Sequence, residues 1–199
     1  MSTNRSLDKS EAILDAAEQV FAQYGYHGAQ IAKIAPLAGV AVGTVYLYFK
    51  SKSDVLVALF RDRLGKLIAQ ACEEIAGIAE PEERLRRLIA LHLNSLAASP
   101  DLATVTQIEL RQADLDVQQQ ITEVLKGYFD VLDQVIIAGQ EAGTIRTDVD
   151  RLQMRNMIFG TLDQTVTAWV MAGRGFDLPA LAEPSYRLIA GGLLKRKEA

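Results

Sequence analysis

The stretch GVAVGTVYLYFKSKSDVL, residues 39–56, crowds Tyr46, Tyr48 and Phe49 into four positions beside Lys50 and Lys52. On a helix over Val42–Phe49, spacings of three and four put Val45, Tyr48 and Phe49 on one face. Gly43 and Leu47 fall on the opposite face, flanked by Thr44 and Tyr46. Water alone gives such a face little to do. A major groove does: Gly43 lets the backbone come close, the Thr44 and Tyr46 hydroxyls bond phosphates or base edges, and Leu47 meets a thymine methyl. Ser51-Lys52-Ser53-Asp54 has capping-box spacing, with Ser51 bonding forward and Asp54 reaching back. Lys52 then sits at a helix N-terminus, where charge and backbone N–H groups together favour phosphate. An aromatic patch for protein contact is the other use of the same residues.

The elements that must position this stretch are helical, since the apolar period is close to 3.6 throughout. Ile13, Ala16, Ala17, Val20, Phe21 and Tyr24 mark one face of a first helix, expected to end at Gly25. Ile31, Ile34, Ala35 and Ala38 mark a short second helix, stopped by Gly39 as a left-handed C′ residue. The third helix is the one just described, and the turn at Gly39-Val40 makes the pair a helix-turn-helix. A fourth helix runs from the Ser51 cap to about Gly77. Pro81 opens a fifth, to near Ser99, and Pro100 a sixth, to near Arg111. Leu115–Ala142 reads as a seventh helix, GTIRTDVD over 143–150 as a loop, and Arg151–Ala172 as an eighth. A ninth runs to about Lys195, with Pro184 either inside it or at its start. The expected fold class is all-α with about nine helices.

Composition narrows the function. Of the 199 residues, 49% are hydrophobic, enough for a substantial core. A single cysteine, Cys72, excludes an intramolecular disulfide and fits a reducing compartment. The start MSTNRSLDKSEA has no apolar leader region, and no run approaches a membrane span, so a soluble cytoplasmic protein is expected. The net charge of −4 speaks against nucleic acid only as an average. Residues 1–52 carry five basic against four acidic side chains, the rest sixteen against twenty-one, and residues 19–53 hold no acid. That asymmetry turns the N-terminal part toward phosphate. Only His27 and His92 are present, without metal-ligand spacing, a glycine-rich phosphate loop or a nucleophile elbow, so an enzyme is not expected. An architectural DNA protein would need a strong positive charge, which the chain lacks.

Residues 11–60 resemble the DNA-binding domain of the TetR family of transcriptional regulators. The likeness lies in Ile13, Ala16, Ala17, Phe21, Gly25, Tyr26, Ile34, Ala35, Ala38, Gly39, Val40, Gly43, Thr44, Tyr46, Tyr48, Phe49, Lys52 and Leu56. Two positions depart from the family pattern: Val42 stands where a polar or basic residue is common, and Gln30 where threonine is common. These bear on which bases are read. The resemblance implies an N-terminal helix-turn-helix domain (1–52) that meets double-stranded operator DNA, an inverted repeat, through Gln30, Lys33, Val42, Gly43, Thr44, Tyr46, Leu47, Tyr48 and Lys52. It implies a second domain (53–199) that binds a small effector and forms a homodimer. Helix eight, with Met154, Ile158, Thr161, Leu162, Thr165 and Trp169 in one stripe, and helix nine, with Leu188 and Gly191-Gly192, suit a four-helix dimer interface. The same stripes also suit closing the monomer's own core.

The segments VTQIELRQADLDVQQQITEVLKGYFDVLD and MIFGTLDQTVTAWVM further resemble the FadR-type TetR regulators of fatty-acid degradation. That resemblance implies a repressor with no cofactor, released from DNA by long-chain acyl-CoA; a TetR-type repressor answering another hydrophobic molecule, as in efflux control, is the alternative. An acyl chain needs a long apolar slot. Leu96, Leu102, Val105, Ile108, Phe129, Leu132, Phe159, Leu162, Val166 and Trp169 can line one, or serve as ordinary core. The anionic CoA head needs cations; Arg111, Lys126 and His92 are the candidates, Arg111 having an ion pair with Glu109 or Asp114 as its other use. Arg84, Arg86 and Arg87 form a further basic cluster, read as a solvated face.

Overall fold

The computed structural model describes residues 2–109 and 114–195. All of the helices expected from the apolar period are present among them: α1 (Ser2–Gly28), α2 (Ile31–Leu37), α3 (Val42–Tyr48), α4 (Lys52–Ile75), α5 (Pro81–Ala98), α6 (Pro100–Thr104), α7 (Leu115–Glu141), α8 (Arg151–Met171) and α9 (Ala182–Leu193). No sheet forms among the described residues; extended backbone is limited to one isolated bridge, Ile145 to Leu194. The fold is all-α. The helices group into two compact units, one of residues 1–63 and 101–124, the other of residues 64–100 and 125–199.

In the first unit α1 buries Ile13, Ala16, Ala17, Val20 and Phe21, the expected face, beside Ile34, Ala35, Val45, Leu56 and Leu59. Gly25 does not end α1. It kinks the helix at φ +70, a conformation open to glycine, and one more turn follows, with the Ala29 N–H on the Gly25 carbonyl at 2.9 Å. Tyr24 stands 43% exposed rather than in the core. The Arg63 guanidinium fastens α4 to α1: Nε donates to Glu18 at 2.8 Å, Nη1 to Asp62 at 2.7 Å, and Nη2 to Asp15. After Thr104 the sixth helix widens into a π-turn over Val105–Glu109, which packs on α1. The single regular helix expected to reach Arg111 is therefore corrected: its period changes at Val105.

In the second unit α5, α8 and α9 pack on one another. Leu85, Leu88, Ile89 and Leu93 of α5, Ile158, Leu162 and Val166 of α8, and Ile189 and Leu193 of α9 form the core. Asp150 caps α8, its carboxylate accepting from the Leu152 N–H at 2.8 Å. Pro184 lies in the first turn of α9, after a 3₁₀ turn over Pro179–Leu181. The three arginines of α5 are not a free solvated face. Arg84 Nε donates to the Ile78 carbonyl at 2.6 Å, Arg86 pairs with Glu183 and lies over the Tyr186 ring, and Arg87 pairs with Glu74 at 2.5 Å. No single helix among the described residues is long and apolar enough to cross a membrane.

Candidate functional site

The turn between α2 and α3 is built by Gly39 at φ +66. The Val40 N–H reaches the Ala35 carbonyl at 3.0 Å and the Gly39 N–H the Pro36 carbonyl at 3.1 Å, closing α2 in a Schellman arrangement. The two helices meet at a bend of 99°, within the helix-turn-helix range. Val45, fully buried, is the side chain that seats α3. Its other faces are open: Leu47 is 84% exposed, Tyr46 52% and Val42 42%. A Cβ at Gly43 would meet nothing within 4 Å, so the backbone there is free to approach a partner. Thr44 and Tyr48 are half-buried, Tyr48 lying against Phe49 with ring centroids 6.4 Å apart. Gln30 is exposed at the start of α2, and Lys33 Nζ lies 3.3 Å from the centre of the Tyr24 ring.

Lys52 has a structural task the sequence did not disclose. Its Nζ donates to the carbonyls of Tyr26 at 2.5 Å, Ala29 at 3.1 Å and His27 at 3.4 Å, and lies 4.6 Å from the centre of the Tyr26 ring. These carbonyls belong to the last turn of α1 and to the residue just past it, at the negative end of the helix dipole. The ammonium thus ties the start of α4 to the end of α1 and holds the frame around α2 and α3. Ser51 supplies the forward half of the expected cap, its Oγ accepting from the Asp54 N–H at 3.1 Å.

In the second unit a ring cluster joins α5, α7 and α8. His92 and Tyr128 lie 5.7 Å apart, Tyr128 and Phe159 6.1 Å, and Phe129 and Phe159 5.1 Å in edge-to-face contact. Leu96, Leu132, Leu162, Val166 and Trp169 are buried in the same unit, while Phe129 and Phe159 are half-buried. Trp169 Nε1 donates to the Phe176 carbonyl at 2.9 Å. His92 is not a cation: it is 7% exposed, and burial holds its imidazole well below the ordinary range, at about 4. Its Nδ1 lies 3.0 Å from the Tyr128 hydroxyl, which burial keeps protonated. Lys126 is exposed on α7. Arg155 stacks on the Phe129 ring at 4.9 Å and pairs with Asp133 at 2.9 Å. Sequence reasoning passed over Tyr128, Asp133 and Arg155. Tyr128 is 36 positions from His92, so no local pattern links them.

Val105 (buried), Ile108 and Leu102 (both half-buried) belong to the first unit, not to this cluster. Arg111 lies outside the described residues. No group of His, Cys, Asp or Glu among the described residues is arranged to hold a metal ion.

Comparison with known proteins ties these features together. Residues 13–59 match the model for bacterial regulatory proteins of the tetR family, and residues 60–192 match that for the C-terminal region of YsiA-like proteins. The chain is 45% identical over 181 residues to the fatty acid metabolism regulator protein of Bacillus subtilis, covering 91% of this chain and 93% of that one. The structure of the fatty acid degradation regulator FadR from Bacillus halodurans superposes with a TM-score of 0.90 at 46% identity, covering 92% of this chain and 95% of that one. FadR from Bacillus subtilis, solved in complex with stearoyl-CoA, gives 0.89 at 45% identity, covering 92% and 98%.

Proposed function

The chain belongs to the tetR family of bacterial regulatory proteins, among its FadR-type fatty-acid regulators, and from that premise we propose that its effector is a long-chain acyl-CoA. It is a ligand-responsive DNA-binding repressor, not an enzyme, and dimerisation through C-terminal helices accords with its fold family. The observation that carries the effector reading is the stearoyl-CoA bound to a relative sharing 45% of residues over nearly the whole chain.

The residues support this reading in three places. Residues 1–52 serve as the DNA-reading part, with Val42, Gly43, Tyr46 and Leu47 of α3 facing the groove of an inverted-repeat operator, the half-buried Thr44 and Tyr48 at its edges, Gln30 and Lys33 beside them, and Lys52 as a frame and phosphate contact. Residues 53–199 take the effector and dimerise. There Leu96, Phe129, Phe159, Leu162, Val166 and Trp169 offer apolar surface to an acyl chain. Lys126, exposed on α7, meets the CoA phosphates. Helices α8 and α9 form the two-fold interface: Leu188 is 76% exposed and Met157 36%, and the α8 stripe itself is occupied in the monomer core.

Release from DNA requires that the ligand bind the free shape more tightly than the DNA-bound one. A tenfold preference corresponds to about 1.4 kcal/mol, which two buried methylenes at ~0.8 kcal/mol each supply. The test is a gel shift on an operator selected from random DNA, repeated with stearoyl-CoA, stearic acid and free CoA. Stearoyl-CoA is expected to release the operator, with the acid and free CoA far weaker. Equal release by free CoA would overturn the acyl-CoA reading and leave the repressor standing.

A further inference from the structure

His92 holds an atom the fold does not satisfy. The side chain is 7% exposed, and its Nε2 is buried with no hydrogen-bond partner. Its neighbours along α5, Leu88, Ile89, Leu91, Leu93 and Leu96, are buried and apolar. Beyond Tyr128 the wall continues as the Phe129 and Phe159 rings. Nε2 is thus an unpaired polar atom on a helix whose neighbouring side chains are apolar; Arg86 Nε, Asp133 Oδ1 and Arg155 Nε are likewise buried without a hydrogen-bond partner. Buried polar groups are nearly always paired, so one left over in a ligand-binding domain marks where a ligand atom belongs.

The other ring nitrogen says what kind of atom that is. A phenol is a stronger acid than neutral imidazole, so the Tyr128 hydroxyl donates to Nδ1 across their 3.0 Å contact. The imidazole proton then sits on Nε2. Burial keeps the ring uncharged at neutral pH, so Nε2–H is a donor without net charge. The Arg155 guanidinium, on the Phe129 ring, has its charge taken up by Asp133 through Nη1, while its Nε is itself buried without a hydrogen-bond partner. A carboxylate placed here would be buried without a counter-cation; a neutral carbonyl oxygen would not.

We propose that His92 Nε2–H receives the thioester carbonyl oxygen of the acyl-CoA, with Tyr128 fixing the tautomer, so that the site tells a thioester from a free acid at the carbonyl itself. The inference rests on the acyl-CoA reading and adds a recognition point that the CoA phosphates do not provide. Sites that hydrogen-bond a ligand group discriminate sharply against analogues lacking it, because the site's own polar atom is then left unpaired.

The test uses stearoyl-CoA and S-octadecyl-CoA, the thioether with a methylene in place of the carbonyl, titrated calorimetrically into the full-length protein. The wild type is expected to prefer the thioester by about tenfold or more. His92→Phe is expected to bind both within about twofold. His92→Gln retains a donor and should keep part of the preference. Should His92→Phe fail to fold by circular dichroism, Tyr128→Phe serves instead: it releases the tautomer and should shrink the preference for the thioester over the thioether. A wild type that binds both ligands tightly and equally, or variants with the full preference, would overturn the proposal alone. A wild type that binds neither would overturn the acyl-CoA reading and the proposal with it.

Discussion

Helices α3 and α8 both carry apolar side chains on successive turns and dispose of them in opposite ways. In α8, Met154, Ile158, Leu162, Val166 and Trp169 are all buried. In α3 only Val45 is buried, while Val42, Tyr46 and Leu47 stand in water. Apolar surface turned inward is accounted for by folding. Apolar surface turned outward on a seven-residue helix held by one buried side chain is accounted for by a partner. The contrast extends to polar atoms: the hydroxyl of Tyr46 lies on an exposed residue, whereas the imidazole near α8 is sealed in and partly unpaired.

The largest separation between the two regions is expected in stability. Ile158→Ala should cost ~2–5 kcal/mol in urea unfolding, the usual range for a truncated core aliphatic. Leu47→Ala should change stability by less than about 0.5 kcal/mol, yet alter operator preference at one position of each half-site by ~1–3 kcal/mol. Comparable unfolding losses in the two variants would erase the distinction between core and contact surface.

Acid is the next lever. Between pH 6.5, the ordinary histidine value, and about 4, that of buried His92, the unfolded chain takes up a proton the folded chain refuses. Stability held above pH 6.5 is therefore lost as pH falls through this window and levels off near 4, by about 3 kcal/mol in all. Unfolding curves of His92→Phe should lack that component. An identical pH dependence in the variant would mean that His92 is solvated in the native state.

Lys52 sharpens the DNA-reading side of the comparison. Loss of its three carbonyl contacts in Lys52→Ala should lower stability by about 1–2 kcal/mol, toward the low end for charged hydrogen bonds because the residue is partly solvated. Operator affinity should fall with it, uniformly across sequences. A variant as stable as wild type, with a salt slope shallower by about one unit per lost contact, would leave phosphate binding as its sole task.

The smallest effect on the fold itself is expected at Gly191. A Cβ there meets nothing within 4 Å, whereas at the neighbouring Gly192 it would press on Met157 at 3.2 Å. Gly191→Leu should leave the subunit's helicity intact while obstructing the proposed α8–α9 interface. Sedimentation is expected to show monomer and loss of operator binding; an intact dimer would place the interface elsewhere.

Features that rest on local chemistry were open to reading in the sequence. The α1 face, the left-handed Gly39, the Ser51 cap and the outward Leu47 each follow from spacing or from a residue's own conformational range. Features made by distant partners were not. Gly25 reads as a stop, but the backbone uses its positive φ to kink and continue. The π-turn at Val105 is invisible to a 3.6-residue period. Lys52 meets its carbonyls 23–26 positions away, and His92 reads as a cation until Tyr128 and the α5 leucines enclose it.

The central claim, a repressor whose apolar interior senses an acyl chain, is tested most directly by the anisotropy of a labelled operator. The protein–DNA complex is titrated with saturated acyl-CoA from eight to eighteen carbons. Each added methylene that enters the apolar interior should lower the half-release concentration, by up to about fourfold at ~0.8 kcal/mol per group, until the slot is filled. Half-release concentrations independent of chain length would contradict the claim.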